Sequence, residues 1–526
     1  MSDVFAGHNL AVPYRPLGEI LAFYRARDPD KAAIVDLDQE SAITFGALDQ
    51  AVTDIAHHLR GLGVGPGDRV LLLADERLEK LLLWFGIWRL GATVCPLNIE
   101  LNAQHMAELT ASIAPKLVVL EKGLDRDTLV GGSTAPCIRF GTYSADPKRP
   151  DSGDEFFAAM PRGGNGGALG ERNAAGDMAA IICTSGTTAK PKLVVLDHAF
   201  YWLSGLSTID IVGLTDRDRI LEYRSFGWES PQILTLMPFL ETGATLHIAR
   251  RFSHSRFFEW IARHDITFAA GVPTVVNMLL NTPLGFTAAD IPSLRCMTCS
   301  TAPLTGDQWR RFETMYGITL LQLYGMSEAG WVCGNRHDDR HIGTVGRPAL
   351  HQEFAIVDGD GRPCPAGIEG EVTCGGPQTA LGYLRADGML DPIRGTRFKT
   401  GDLAVMTEDG FVTVTGRTKD LIIRGGVNIS PLEVDAVLLA HPGLGEAAAV
   451  GVPDPIYGEE VVCYVVPKDG SGLDEAAVLG WCASRLPLPK RPKHAVLIAE
   501  LPKNDRGKVR RDALREDWTR RGGVTA

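Results

Sequence analysis

The sequence predicts an α/β protein in two parts. A large N-terminal domain holds doubly wound sheets and a β-rich segment in the form of a distorted β-barrel or small antiparallel sheet, and a small α/β domain follows at the C-terminus. Three observations carry this. Short, uninterrupted apolar runs alternate with helix-length segments through residues 1–130 and again after residue 177, the pattern of parallel strands covered on both faces. From about Gly343 the pattern changes to short strands between Gly/Asp turns. A chain of 526 residues also exceeds what one compact core holds, so more than one domain is required.

Taken in order, residues 17–27 have helical apolar spacing, and 33–35 and 42–45 are short strands. Residues 45–62 form a helix that Gly63-Val-Gly-Pro-Gly67 stops. Residues 69–73 are a strand with the continuous apolar run Val70–Leu73, 79–90 a helix, and 92–96 and 117–120 further strands. From about Gly131 to Gly176 glycine, proline, serine and mixed charge dominate, which predicts loop or linker with little capacity for a core. Strands are expected at 178–183, 193–196, 243–248, 267–270, 294–299 and 320–324. Helices are expected at 255–264 and from Val272, with Pro273 in the first turn. The β-rich part has strands at 353–357, 370–374, 403–406 and 411–415. The last piece alternates again, with helices at 433–439 and 475–485 and strands at 447–452, 461–466 and 495–498, as a separate small domain would.

The composition excludes several function classes. With 45% hydrophobic and 22% charged residues, the chain resembles soluble globular proteins. A net charge of −11 argues against nucleic acid or an anionic membrane as partner. MSDVFAGHNL has neither a basic n-region nor an apolar h-region, so no signal peptide is expected, and no run reaches the ~18 apolar residues of a membrane span. Ten scattered cysteines imply reduced thiols and a cytoplasmic protein. Cys296 and Cys299 lack the second ligand pair that zinc needs, so buried strand cysteines are expected there.

Thr184-Ser-Gly-Thr-Thr-Ala-Lys-Pro-Lys192 lies between two apolar strands. Hydroxyls and backbone N–H groups donate to phosphate oxygens, glycine permits close approach, and lysine adds counter-charge. Composition alone favours a polar surface turn, which is what most Ser/Thr/Gly clusters are. The spacing is not that of a Walker loop, and a strand follows where a helix should.

In order and spacing this run resembles the phosphate-binding signature of the adenylate-forming superfamily of acyl-CoA synthetases, peptide-synthetase adenylation domains and luciferases. The family has glycine where this chain has Ala189. Five further stretches match in the family's order: Tyr324-Gly-Met-Ser-Glu328, Gly370-Glu-Val-Thr-Cys-Gly-Gly-Pro with Gly382-Tyr383, Thr400-Gly-Asp402, Gly416-Arg-Thr-Lys-Asp followed by Gly425-Gly426, and Pro502-Lys-Asn-Asp-Arg-Gly-Lys508. The resemblance spans residues 17–515 and implies a carboxylate–CoA ligase with ATP, Mg²⁺ and CoA, built as an N-terminal domain 1–418 and a mobile C-terminal domain 419–526.

The resemblance also implies roles. Thr184, Ser185, Gly186, Thr187, Thr188 and Lys192 hold ATP phosphates; Ser300, Thr301, Ala302, Tyr324, Gly325, Met326 and Ser327 surround the nucleotide; Glu328 holds Mg²⁺. Asp402 and Arg417 take the ribose, Lys419 is the hinge, Gly425 and Gly426 line the CoA tunnel, and Lys508 serves the reacting centre. The motif ending in Gly382-Tyr383 is given no catalytic role. Candidates for the acyl pocket are Phe226, Gly227, Trp228, Thr274 and Trp331, with the 300–302 loop beside them. Gly227 stands where amino-acid-activating relatives carry an aspartate, which disfavours an α-amino acid. A small, aromatic or medium-length acid is expected, and Arg224 offers a partner for a second carboxylate. The other reading is an adenylating enzyme that loads a carrier protein or another acceptor. The resemblance leaves room for a homodimer and for a lysine acetyltransferase acting on Lys508.

Overall fold

The computed structural model describes residues 13–143, 154–163, 169, 173–184, 191–504 and 507–522. Two large mixed sheets dominate it. The first has nine strands, in the order Arg347–Pro348, Gly330–Gly334, Thr319–Met326, Cys296–Cys299, Phe268–Ala269, Arg219–Glu222, Thr245–Ile248, Ala32–Asp36 and Ser41–Thr44. Its six central strands, from Thr319–Met326 to Ala32–Asp36, pair in parallel, and antiparallel strands close both edges. The second sheet has eight strands, in the order Leu390–Pro392, Gly382–Leu384, Lys192–Asp197, Met178–Thr184, Thr93–Cys95, Arg69–Leu73, Leu117–Glu121 and Cys137–Phe140.

Strand alternation explains why these sheets need cover on both faces. Along Arg69–Leu73, Val70 and Leu72 enter one core while Leu71 and Leu73 enter another. Ile220 and Leu221 divide in the same way. The helices Phe45–Gly61 and Leu78–Leu90 fill the largest core, between residues of both sheets. They approach closely at Gly86, where a Cβ would lie 2.1 Å from the Ile55 side chain.

The β-rich segment forms a four-stranded antiparallel sheet, Ala355–Val357, Gly370–Cys374, Phe398–Met406 and Val412–Arg417. Beyond it, Leu444–Asp454 and Gly458–Pro467 form a long antiparallel pair with its own two cores. Ala447, Ala449, Val461 and Cys463 face one; Ala448, Val450, Val462 and Tyr464 face the other.

The structure corrects the linker expected at residues 131–176. Cys137–Phe140 adds a parallel strand beside Leu117–Glu121, and Phe156–Ala159 is a helical turn. Phe140, Phe156, Phe157 and Met160 are buried in the largest core. Four large apolar side chains suffice to anchor a Gly/Pro-rich segment. Several helices had no expectation attached. His198–Val212 is apolar around most of its circumference, so it has no helical period to detect. Gly306–Tyr316 begins with a capping box, Thr305 and Gln308, a signal the sequence does carry.

Phe156→Ala should lower stability by about 3–5 kcal/mol, the cost of truncating a buried aromatic. A chemical denaturation midpoint equal to wild type would return the segment to linker status.

Candidate active site

Strands of both sheets end at one place. The carboxyl ends of Met178–Thr184, Arg219–Glu222, Phe268–Ala269, Cys296–Cys299 and Thr319–Met326 lead to Thr184, Trp228, Thr274, Thr301 and Tyr324. These five residues line one cavity of about 1400 Å³. Ligands bind at the carboxyl ends of strands in open α/β sheets because the loops there are free to vary. Asp402, Arg417 and Lys419 line the same cavity, as does Lys508 from the C-terminal part.

Asp402 is buried and held on both oxygens. Tyr324 donates its hydroxyl to Oδ2 at 2.5 Å, and Arg417 donates from Nε to Oδ1 at 2.7 Å. Burial, and then the Asp402 charge, hold the Tyr324 phenol protonated far above its ordinary range, so it remains the donor. Each carboxylate oxygen keeps a lone pair for a further hydroxyl.

The loop after Cys296–Cys299 is strained. Thr301 has φ +74°, a backbone state that β-branched residues rarely adopt, and it lines the cavity. Ser300 before it is fully buried, and its Oγ finds no partner among the described residues.

Lys508 and Asn504 hold each other. Its N–H donates to Asn504 Oδ1 at 2.9 Å, and Asn504 N–H donates to the Lys508 carbonyl at 2.9 Å. Gly507 lies at the cavity wall, where a Cβ would meet Thr274 Oγ1 at 3.0 Å. Lys419 sits in the short turn Thr418–Asp420, and burial lowers its pKa below the ordinary lysine value.

Other expected site residues lie elsewhere. Ser185, Gly186, Thr187, Thr188 and Ala189 fall outside the described residues. Lys192 is exposed beside the cavity, with Nζ 4.6 Å from the Tyr383 ring centre. Met326 packs against the core of the four-stranded sheet, and Ser327 is buried. Glu328 accepts the Tyr383 hydroxyl on Oε1 at 2.7 Å. No ion pair to Glu328 occurs among the described residues, so its charge suits a cation. Mg²⁺ is commonly bound by one or two carboxylates together with substrate phosphates and water, and Glu328 fits that use. Gly425 and Gly426 form an exposed turn between Ile422–Arg424 and Val427–Ile429, and they do not line the cavity that Lys508 enters.

The acyl candidates divide. Trp228 and Thr274 line the cavity, and Ala302 lies beside them. Phe226 is a core residue whose carbonyl accepts from Gln232. Gly227 backs onto Asn98, where a Cβ would lie 3.1 Å from its backbone. Trp331 is one layer behind the wall: its Nε1 donates to Thr208 at 2.8 Å, and its ring lies under Gly325. Arg224 is corrected outright. Its guanidinium grips Glu222 through Nε at 2.8 Å and Nη2 at 2.7 Å, and donates to Ser230 at 3.0 Å. That charge is neutralised within the protein. Tyr383, in the Gly382-Tyr383 motif to which no catalytic role attaches, contacts both Glu328 and Lys192.

Residues 23–384 match the AMP-binding enzyme family, and residues 433–508 match the AMP-binding enzyme C-terminal domain. The sulfoacetate–CoA ligase of Cupriavidus necator is 33% identical over 523 residues, covering 94% of this chain and 96% of that protein. The indoleacetate–CoA ligase of Aromatoleum aromaticum is 29% identical over 506 residues, covering 95% and 98%. The crystal structure of ATP-bound MatB from Rhodopseudomonas palustris is similar with a TM-score of 0.84 and 28% identity, covering 95% of this chain and 99% of that one.

Tyr324→Phe should raise the ATP dissociation constant about tenfold, since a hydrogen bond to a charged group contributes roughly 1.5–3 kcal/mol. Equilibrium binding checks this, and an unchanged constant would mean that Arg417 alone fixes Asp402.

Proposed function

The chain belongs to the AMP-binding enzyme family, and from that premise we propose how its own residues activate a carboxylic acid and pass it to CoA. It is an AMP-forming acid–thiol ligase that uses ATP and CoA. The observation that carries the residue assignment is that Lys508 lines the same cavity as Thr184, Tyr324, Asp402 and Arg417.

In the first step a substrate carboxylate oxygen attacks the α-phosphorus of ATP. The bond from that phosphorus to the bridging oxygen breaks, and pyrophosphate leaves. Asp402 and Arg417 hold the ribose, and Thr184 with the loop after it and Lys192 hold the β- and γ-phosphates. Lys508 places an ammonium where negative charge builds on the carboxylate and non-bridging oxygens, a preorganised charge that needs no rearrangement during reaction. Glu328 would hold the Mg²⁺ that accompanies ATP, which supplies counter-charge to the phosphates when bound. In the second step the CoA thiol loses its proton, the sulfur attacks the acyl carbon, and the bond to the AMP oxygen breaks.

Lys508 and Gly425–Gly426 do not share the cavity in this arrangement, which fits a division of labour. We assign residues 1–418 to a body and 419–526 to a C-terminal domain that turns about Lys419. The turn withdraws Lys508 and brings Gly425 and Gly426 to the acyl-adenylate, where their missing side chains leave room for the pantetheine arm. The wall made by Trp228, Pro273 and Thr274 carries no formal charge and suits a small, aromatic or medium-length acid. Among the described residues no helix is long and apolar enough to cross a membrane, and we assign the enzyme to the cytoplasm. A homodimer and acetylation of Lys508 by a lysine acetyltransferase belong to the same proposal.

The test is a panel of carboxylic acids with ATP and CoA, read by AMP release and thioester mass. Lys508→Ala should slow acyl-AMP formation by about 10²–10³. It should spare thioester formation from a supplied acyl-adenylate. Equal loss in both halves would refute the role given to Lys508, and pyrophosphate exchange without any CoA thioester would favour a carrier protein as acceptor.

A further inference from the structure

The motif that ends in Gly382-Tyr383 has no part in the reaction as described, yet it occupies a particular place. The strand Gly382–Leu384 lies antiparallel to Lys192–Asp197, the exit strand of the phosphate loop, with Tyr383 opposite Val194 and Leu384 opposite Leu193. Just before it, the same segment binds the turn that carries Glu328. Ala380 N–H donates to the Glu328 carbonyl at 2.9 Å. Gln378 Nε2 donates to the carbonyls of Ala329 at 3.1 Å and Trp331 at 3.0 Å. Lys192 belongs to the eight-stranded sheet, whereas Glu328 sits between two strands of the nine-stranded one. Residues 378–384 therefore clip the two sheets together where their charged groups meet.

Tyr383 is the side chain at that junction. Its hydroxyl donates to Glu328 Oε1 at 2.7 Å, and its ring face carries the Lys192 ammonium at 4.6 Å from the centroid. The two contacts support each other. A cation over the ring withdraws electron density and makes the phenolic O–H a stronger donor, and the carboxylate at the other end balances the cation. With one oxygen committed to Tyr383, the Glu328 carboxylate is fixed about its last torsion, and Oε2 is presented in one direction.

We propose that Tyr383 is a positioning residue for nucleotide binding: its hydroxyl aims Glu328 at the divalent cation that accompanies ATP, and its ring holds Lys192 beside the phosphates. This rests on the reaction proposed above. It adds that the metal and phosphate-loop charges, which come from different sheets, are set relative to one another by a single side chain.

Tyr383→Phe keeps the ring and removes the hydroxyl; Tyr383→Leu removes both. Enzyme with ATP is titrated with Mn²⁺, and the free ion is followed by electron paramagnetic resonance. Tyr383→Phe should raise the Mn²⁺ dissociation constant about tenfold, the loss expected for one charged hydrogen bond. It should leave metal-free ATP binding in EDTA and the KM for the acid unchanged. Tyr383→Leu should in addition weaken metal-free ATP binding about threefold, through loss of the ring under Lys192. In Glu328→Gln the further Tyr383→Phe change should have little effect on Mn²⁺, because contacting residues are not additive. A purely structural brace would lower the melting temperature and shift every constant together. Wild-type Mn²⁺ affinity in a folded Tyr383→Phe protein overturns the positioning role alone. Wild-type enzyme that binds neither ATP nor Mn²⁺·ATP overturns the function on which it rests.

Discussion

The carboxylate of Asp402 joins Tyr324, 78 residues earlier in the chain, to Arg417 on the neighbouring strand. Tyr324 comes from the end of a central strand of the nine-stranded sheet, and Arg417 from the last strand of the four-stranded sheet, opposite Asp402 itself. The Tyr324 hydrogen bond to the buried carboxylate crosses between the two sheets, and the Arg417 bond closes the end of the ladder within the four-stranded one. Arg417 is partly exposed, so the Tyr324 bond is the better shielded of the two. The chain then leaves Arg417 through the turn Thr418–Asp420 and enters the C-terminal part. The position of Lys508 in the cavity therefore depends on a ladder whose last rung is the Asp402–Arg417 pair.

That dependence explains why the site is assembled from loops. Parallel strands present their carboxyl ends on one edge, and the loops that leave the edge contribute residues to the cavity. A β-branched Thr301 held at φ +74° persists because its neighbours determine it: Ser300 N–H is tied to the Gly271 carbonyl, and the strand before it is buried throughout. The strands supply rigidity and the loops supply chemistry, which is the division that lets one scaffold hold a strained residue at a binding surface.

The fold class was legible because buried strands are written as uninterrupted apolar runs, and residues 70–73, 117–120 and 178–183 are such runs. His198–Val212 escaped for the same physical reason in reverse: a helix buried on nearly all sides carries no period. Residues 131–176 misled because average composition hides the few aromatics that anchor them. At the site, hydroxyls, a glycine and lysines in a fixed order pointed to phosphate. The depth of each aromatic did not show. Trp228 and Trp331 look alike in sequence, but one reaches the cavity wall and the other donates to Thr208 behind it. Which side of a loop a residue takes is decided by contacts far away in sequence, as Thr208 decides it for Trp331.

Charge was the least transferable signal, and Arg224 shows why. It lies four residues before a cavity-lining tryptophan, so a role toward substrate is a natural reading. In the fold, Glu222 is fully buried and needs a cation, and Arg224 meets it with two parallel hydrogen bonds. Removing one partner of such a pair strands the other charge in the interior, which costs far more than the intact pair contributes. Asp197 and Arg394 repeat the arrangement: Asp197 caps the helix His198–Val212, and Arg394 also reaches the Thr379 carbonyl beside Tyr383. The interior thus consumes the charges nearest to it in sequence. The charges that can meet a substrate are those at the cavity, where Lys508 lines the wall and Lys192 lies over the Tyr383 ring beside it.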